Sequence, residues 1–578
     1  MKILGIFYFP GYPDPSAAVV INGEVIAFIE EERLIRNKHA KAYFPSRSIK
    51  SVLNIAGLDL QLIDRITFGW DCISHEDGRL VAHFAEINKE YPPTPNDKAY
   101  QHNRVNRYTA ANLRRTISQQ LKKMYGDVDI PPISFMNHHL SHAIQAYYHS
   151  GMNQALILTI DGSGEWVTTA WWQGDNGNKL TLLHEVKTPH SLGWFYSAFT
   201  EYLGFEAYDG EYKVMGLAAY GKENSDFVHK INKITWYDEK GGFLCDPYII
   251  AMGPRTYSDH FPDLLIEHIG HLPRCENERI EQWHMDLAYC VQYRLENIVY
   301  EMARYWIEKT RIRNLCIAGG VGLNVKMNGN LIKSGLIDDI FIHPLCSDTG
   351  MSIASALACE YQNGNLQTKQ LEHVYYGPSF EDGEIENILK ACKLIYTYEE
   401  NIEKNVAQLL SAGNVVGWFQ GKMEAGPRAL GNRSILADPR TIESRDRVNA
   451  VIKFREFWRP FCPSMTKKGA NKYLDKYTHA PFMIITFDAK EAGKKDIPAV
   501  VHVDGTSRIQ IVIEEHNPRY YKLLEEFETI TGIPVVMNTS FNIKGEPIVC
   551  TPHDAIRTFF ATGLDALAIG SFLLQKTG

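Results

Sequence analysis

The chain has 578 residues, 45% of them hydrophobic and 22% charged, enough for several structural units with cores of their own rather than one compact domain. A formal net charge of −8 leaves no general basic field, which excludes bulk binding to nucleic acid as a default. Its ten cysteines lack CxxC pairing, no apolar run is long enough for a bilayer, and Pro10 interrupts any signal-peptide core, so buried thiols and a reducing cytoplasm are expected, with no membrane partner.

In chain order, residues 2–9 predict a strand, followed by a loop rich in Gly and Pro. A hairpin over 18–21 and 24–27 comes next, joined at Asn22-Gly23. His138 and His142 lie four residues apart, which on a helix puts both imidazoles on one face, where a distant carboxylate such as Asp348 could complete a two-His, one-carboxylate metal site. That spacing alone also fits ordinary helix histidines. A strand over 155–160 runs into the acidic, small-residue turn Asp161-Gly162-Ser163-Gly164-Glu165 and a further strand over 166–172. Two such strand–turn–strand units predict a duplicated α/β half of the actin, sugar-kinase and Hsp70 type, with nucleotide between the halves. A buried strand over 314–318 leads into Gly319-Gly320-Val321-Gly322-Leu323-Asn324, where glycines let backbone approach a ligand. A short strand over 339–343 and a small-residue helix over 350–360 follow, and ligands in open α/β folds gather at such strand ends.

Composition turns polar over 360–369, where a domain boundary is expected. Beyond it, helices near 386–393 and 400–412 and a strand over 415–419 predict a mixed α/β domain. Arg428, Arg433, Lys453, Arg455 and Arg459 fall within a short span interleaved with Gly, Pro and Trp. They read as a phosphate or carboxylate site, with solvated surface charge as the alternative. The stretches 502–510 and 538–547 add Arg508, Asn538, Ser540 and Asn542 in strand–turn contexts, as polar groups for phosphate or ribose.

Taken together, Glu30-Glu31-Glu32-Arg33 with Lys38-His39, the motifs at 138–142 and 161–165, Ser191-Leu192-Gly193, and the stretches 211–221 and 319–324 resemble the O-carbamoyltransferases of the NodU/CmcH type, the group that includes the tobramycin enzyme. Asp348 and the stretches 426–431, 453–460 and 538–547 extend the resemblance over essentially the whole chain. It implies an actin/Hsp70-like (ASKHA) carbamoyl-transfer domain over 1–362, similar to the tRNA threonylcarbamoyladenosine transferase. A YrdC-like, carbamoyl-adenylate-forming domain is implied over 363–578. Carbamoyl phosphate and ATP, with Mg²⁺ accompanying the nucleotide, are implied to give carbamoyl-adenylate in the second domain. A hydroxyl of a small-molecule natural product or sugar would then accept the carbamoyl group in the first.

The family's metal, Fe²⁺ or another divalent ion, is implied at His138, His142 and Asp348. Nucleotide contacts are expected from Asp161, Gly162, Ser163, Gly164, Glu211, Lys213, Gly319, Gly320 and Asn324, and from Arg459, Arg508, Asn538, Ser540 and Asn542. Lys453, Arg455 and Arg428 are expected to meet charge developing on the phosphates. Family members usually carry a His-Asp pair before the first hairpin, whereas this chain has Pro13-Asp14. Proline cannot transfer a proton, so Asp14 or His39 becomes the expected base. An actin-superfamily kinase or ATPase and a tRNA-modifying transferase are the competing readings, and a symmetric dimer is the expected oligomer.

Overall fold

The computed structural model describes residues 1–576 apart from Arg455 and Phe457. The protein is mixed α/β. Its first sheet contains β1 (Lys2–Phe7), β2 (Ser16–Ile21), β3 (Glu24–Glu30), β4 (Arg65–Phe68) and β5 (Ile133–Phe135), in the order β3-β2-β1-β4-β5. Asn22 and Gly23 both take positive φ, 51° and 83°, the handedness a two-residue hairpin turn needs to match the twist of its strands. Parallel pairing joins β1 to β4 and β4 to β5.

The second sheet contains β6 (Ala155–Ile160), β7 (Val167–Asp175), β8 (Lys179–Lys187), β9 (Asn314–Ala318) and β10 (Asp339–Ile342). Antiparallel pairing joins β6 to β7 and β7 to β8, while β9 runs parallel to β6 and β10 parallel to β9. Its order, β8-β7-β6-β9-β10, repeats that of the first sheet strand for strand. The duplication expected from the two strand–turn–strand units is therefore present in the topology.

Central strands such as β6 are buried on both faces and read as unbroken apolar runs, whereas β8, at an edge, mixes the exposed Lys179, Thr181, Leu182 and Lys187 with mostly half-buried residues. The helix Met351–Gln362 packs on β1 and against the helix His138–Ser150. Its Ser and Ala residues allow a close approach, and a side chain at Gly5 would meet the Ser352 carbonyl at 1.8 Å.

A third sheet contains β11 (Thr397–Tyr398), β12 (Val416–Phe419), β13 (Arg433–Ala437), β14 (Cys462–Met465), β15 (Gln510–Ile511), β16 (Val535–Ser540), β17 (Ala566–Ile569) and β18 (Phe572–Gln575). Its order is β11-β18-β17-β12-β13-β16-β14-β15. The helices Ile402–Ser411 and Pro518–Thr531 pack together.

The chain separates into two compact units. One comprises Met1–Phe7, Val19–Glu24 and Asp59–Leu371, and the other Tyr8–Ala18, Val25–Leu58 and Glu372–Gly578. Among the described residues no helix is long and apolar enough to cross a membrane.

The helices outside the elements expected from the sequence include Arg79–Glu90, Pro95–Arg107, Ala110–Tyr125 and the 29-residue Gln282–Thr310. Pro95–Arg107 is almost wholly polar, so its only strong sequence signal is its start, where Thr94 and Asp97 form a capping box ahead of Pro95.

Candidate functional site: a histidine–aspartate cluster

In the first unit Asn137 opens the helix His138–Ser150 by accepting the Leu140 N–H at 2.8 Å, and Gly151 closes it with a left-handed φ of 70°. His138 and His142, one turn apart and both fully buried, face two aspartates, Asp161 directly after β6 and Asp348 in the loop after β10. His138 Nε2 lies 3.5 Å from Asp348 Oδ1 and 3.9 Å from Asp161 Oδ2, and His142 Nε2 lies 3.6 Å and 3.4 Å from the same atoms.

Ligands about 2.1 Å from a tetrahedral ion stand ~3.4 Å apart, so these four donors have the separations of one coordination sphere. His138 Nδ1 sits 3.2 Å from the Gly69 carbonyl, which can only accept, so Nδ1 carries a proton and Nε2 faces the cluster. His138 Nε2, both nitrogens of His142 and Asp348 Oδ1 are buried and have no hydrogen-bond partner. Burial would lower the His138 pKa, but Asp348 and Asp161 overcome it and hold the imidazolium up to about 9. Burial likewise opposes ionisation of Asp161, yet its contacts to His138 and His142 keep it well below the usual carboxylate range. The pocket favours positive charge among these donors, and two imidazoles with two carboxylates suit a first-row divalent ion.

Backbone holds the carboxylates in place. Asp161 accepts the Gly162 N–H at 2.7 Å and the Gly320 N–H at 3.0 Å, while the Gly319 N–H bonds the Cys346 carbonyl at 2.7 Å, two residues before Asp348. Gly319 has φ 91°, and a Cβ there would lie 2.1 Å from the Ile160 carbonyl. Glu165 braces the helix start, accepting the Asp71 N–H at 2.6 Å, the His138 N–H at 3.1 Å and the Asn137 amide at 3.2 Å; burial raises its pKa. His139 is held away from the cluster by Thr159 and the Val167 carbonyl, each at 2.9 Å, and burial drops it to about 3, so it stays neutral.

The residues expected at nucleotide fall into distinct places. Asp161 belongs to the cluster itself, a position its acidic turn did not signal. Gly162 and Gly164 are tightly placed, for a Cβ on Gly164 would lie 2.9 Å from the His139 ring and one on Gly162 would touch Trp194. Ser163 accepts from Arg104 at 3.3 Å. Gly320 ties Asp161, whereas Asn324 caps the helix Val325–Lys333 and exchanges two 2.9 Å hydrogen bonds with Gln292. Glu211 begins the helix Glu211–Leu217, accepts the Tyr208 N–H at 2.8 Å and is pushed by burial up to about 7. Lys213 stands over the Phe205 ring at 5.6 Å. Glu165 and Asp71, missed from the sequence, are readable there only as an acid in a turn and a residue after a strand.

In the second unit Lys453 is buried, and its Nζ donates to Ser540 O (2.5 Å), Ser540 Oγ (3.2 Å), Asn542 O (3.1 Å) and Asn542 Oδ1 (2.8 Å). Three expected residues thus meet. Asn538, buried on the preceding strand, donates to the Ala429 carbonyl at 3.2 Å and Ser464 Oγ at 3.0 Å. Arg508 reaches Cys462 Sγ at 2.9 Å, Arg459 pairs with Glu456 at 3.5 Å, and Arg428 is half-buried in its loop. Arg455 lies outside the described residues.

Arg433 is turned inward, donating to the Gln420, Gly421, Asn432 and Pro378 carbonyls over the Phe419 ring, so its guanidinium is occupied by the fold. Arg33 and Arg36 also serve backbone, at Gly426 O (2.7 Å) and at Ile548 O and Pro547 O (2.6 and 2.8 Å). Asp14 Oδ1 and His39 Nδ1 meet at 2.8 Å, the Asp14 N–H donates to His39 O, and Glu32 accepts the His39 N–H at 2.8 Å. Asp14, Glu32 and His39 form a second compact group of donors.

Two sheets of one topology, with carboxylates that follow β6 and β10 meeting two helix histidines, define a duplicated α/β protein with its candidate site beyond the strand ends of the second sheet. Residues 2–357 match the carbamoyltransferase N-terminus family and residues 407–576 the carbamoyltransferase C-terminus family. The chain belongs to the carbamoyltransferases and is a transferase enzyme.

Nodulation protein NolNO of Sinorhizobium fredii is 36% identical over 97% of this chain and 79% of its own length. Nodulation protein NolO of Bradyrhizobium diazoefficiens is 37% identical over 76% and 79%. An uncharacterized protein, sll1178 of Synechocystis, is 37% identical over 100% and 97%. Among solved structures, T. kodakarensis HypF aligns with 63% of this chain and 48% of its own at 13% identity, with a TM-score of 0.31.

Proposed function

We propose that this carbamoyltransferase is an ATP-dependent O-carbamoyltransferase that joins two half-reactions: adenylation in a C-terminal domain (363–578) and transfer in an N-terminal one (1–362). The observation that carries the reading is the convergence of His138, His142, Asp161 and Asp348 on one point, with His138 Nε2 and both His142 nitrogens buried and without a hydrogen-bond partner.

In the first half-reaction water releases phosphate from carbamoyl phosphate, and the carbamate oxygen then attacks the α-phosphorus of ATP. Carbamoyl-adenylate forms and pyrophosphate leaves, with Mg²⁺ accompanying the nucleotide. Lys453 anchors the 540–542 turn and offers a fixed cation amid neutral oxygens, while Arg428, Arg455, Arg459 and Arg508 are the remaining cations for the phosphates. In the second half-reaction a hydroxyl oxygen of a small-molecule acceptor bonds the carbamoyl carbon, AMP leaves with the C–O bonding pair, and a base takes the hydroxyl proton. His39, oriented through Nδ1 by Asp14, is that base.

A divalent cation such as Fe²⁺ fits His138, His142, Asp348 and Asp161, and when bound it supplies Lewis-acid polarisation of oxygen. The protein's own part is to hold the donors, keep His138 in the Nδ1–H form and bring the Gly319–Gly320 and Gly162–Gly164 backbones close to the ligand.

Omission of each component tests the two-step reading. Carbamoylated acceptor, pyrophosphate and AMP should all require both ATP and carbamoyl phosphate. Transfer at full rate without ATP would sink it.

A further inference from the structure

His138, His142, Gln145 and His149 follow one another along the helix His138–Ser150 at spacings of four, three and four residues, which keep them on one stripe. The first two belong to the cluster. The other two have no part in the chemistry above, yet they fasten the two ends of the loop that carries Asp348.

At one end His149 Nδ1 meets His343 Nε2 at 2.9 Å, with the rings stacked 5.1 Å apart. The Leu345 N–H donates to His343 Nδ1 at 3.1 Å, so His343 carries its proton on Nε2 and donates it to His149. Burial keeps both rings neutral, and it lowers His149 to about 4. At the other end the Gln145 amide donates to the Gly350 carbonyl at 3.3 Å. Gln145 is fully buried and its Oε1 has no hydrogen-bond partner, a burial that costs stability and marks a side chain kept for another reason.

Between these ties the loop has little room to relax. A Cβ on Gly350 would lie 2.1 Å from the Leu345 carbonyl, and the Gly319 N–H already bonds Cys346. The imidazoles and the clamps ride on one rigid helix, so the loop is indexed to the same body that presents His138 and His142.

We propose that Gln145 and the hydrogen-bonded His149–His343 pair are positioning residues that set Asp348 at the distance from His138 and His142 that one divalent cation requires. The proposal rests on the cation reading of the cluster. Outer partners of metal ligands are worth about 10–100-fold in affinity, which sets the expected scale.

The test titrates the full-length protein with Co²⁺ alone, following the visible ligand-field bands, with circular dichroism as the check on folding. Gln145→Met and His149→Leu should each weaken Co²⁺ binding by about 10–100-fold and shift the bands. His149→Asn, which returns an acceptor near the Nδ1 position, should recover much of the loss. Should His149→Leu fail to fold, Gln145→Met decides, since it keeps the volume and deletes one hydrogen bond. If the wild-type protein takes up no Co²⁺, or His138→Ala binds it as well as wild type, the cation reading itself fails. If wild type binds and His138→Ala does not, while folded Gln145→Met binds with unchanged affinity and spectrum, the positioning proposal alone is overturned.

Discussion

Asp14 and His39 both sit in the left-handed region, at φ 62° and 63°, and each holds the other: a side-chain contact at 2.8 Å and a backbone hydrogen bond from the Asp14 N–H to His39 O. Such strain persists only where the surroundings over-determine it, which fits a constrained proton-accepting pair. Asp14→Asn keeps the size and removes the charge. It should cut carbamoyl transfer by about 10²-fold or more, the usual scale for losing general-base assistance, with pyrophosphate release unchanged. Transfer at the normal rate would reduce Asp14 to a turn residue.

Glu211 gives a second test at this scale. Burial pushes its carboxyl up to about 7 from an ordinary value of 4.5, so between those pH values the native state binds more protons than the unfolded one. Stability from this group is therefore fully present below about pH 4.5 and is lost as pH rises through about 7. Urea unfolding of Glu211→Gln against wild type should show the variant gaining relative stability from pH 5 to 8, by roughly 1–2 kcal/mol once partial solvent access is allowed for. A constant difference across that range would mean that the carboxyl titrates normally.

At the scale of elements the site depends on corners rather than on regular structure. The turn after β9 ties the Asp161 carboxylate and the loop that carries Asp348 through consecutive amides, Gly320 to Asp161 and Gly319 to Cys346 O. Only glycine fits at Gly319, with φ 91° and a neighbouring carbonyl 2.1 Å from where a Cβ would stand. Gly319→Ala should cost about 3 kcal/mol or more of unfolding free energy, from backbone strain added to overpacking, and should weaken Co²⁺ binding with it. An unchanged denaturation midpoint would show that the corner can shift without cost. Much at this scale was legible, because β6 and β9 are apolar runs ending in small residues. The Pro95–Arg107 helix was not, because its polar residues give no apolar period.

For the whole molecule, the proposed adenylating residues and the cation cluster lie in separate compact units, while the Asp14–His39 pair shares the unit of Lys453. Lys453, Ser540 and Asn542 lie in one, and His138, His142, Asp161 and Asp348 in the other. His138→Ala should abolish transfer and cation binding while ATP-dependent pyrophosphate release persists. Lys453→Ala should lower pyrophosphate release by at least about a hundredfold, as when one preorganised charge is removed from a phosphoryl transition state, and transfer should fall with it. Loss of both half-reactions in folded His138→Ala would count against separate sites.

Local signals in the sequence determined the strand–turn–strand units, the helical spacing of His138 and His142, the glycine corner and the family resemblance. Each of these depends on periodicity or on residues close together in the chain. Which side chains meet was decided by tertiary structure alone. Asp161 meets Asp348 and the two histidines because β6, β9 and β10 run parallel and the two aspartates follow β6 and β10, although 23 residues separate Asp161 from His138 and 187 separate it from Asp348. The same holds for Arg433, which looked like an anion ligand and is spent on four carbonyls inside the fold. A guanidinium suits phosphate and backbone oxygen equally well, and only the surrounding structure determines which one it meets.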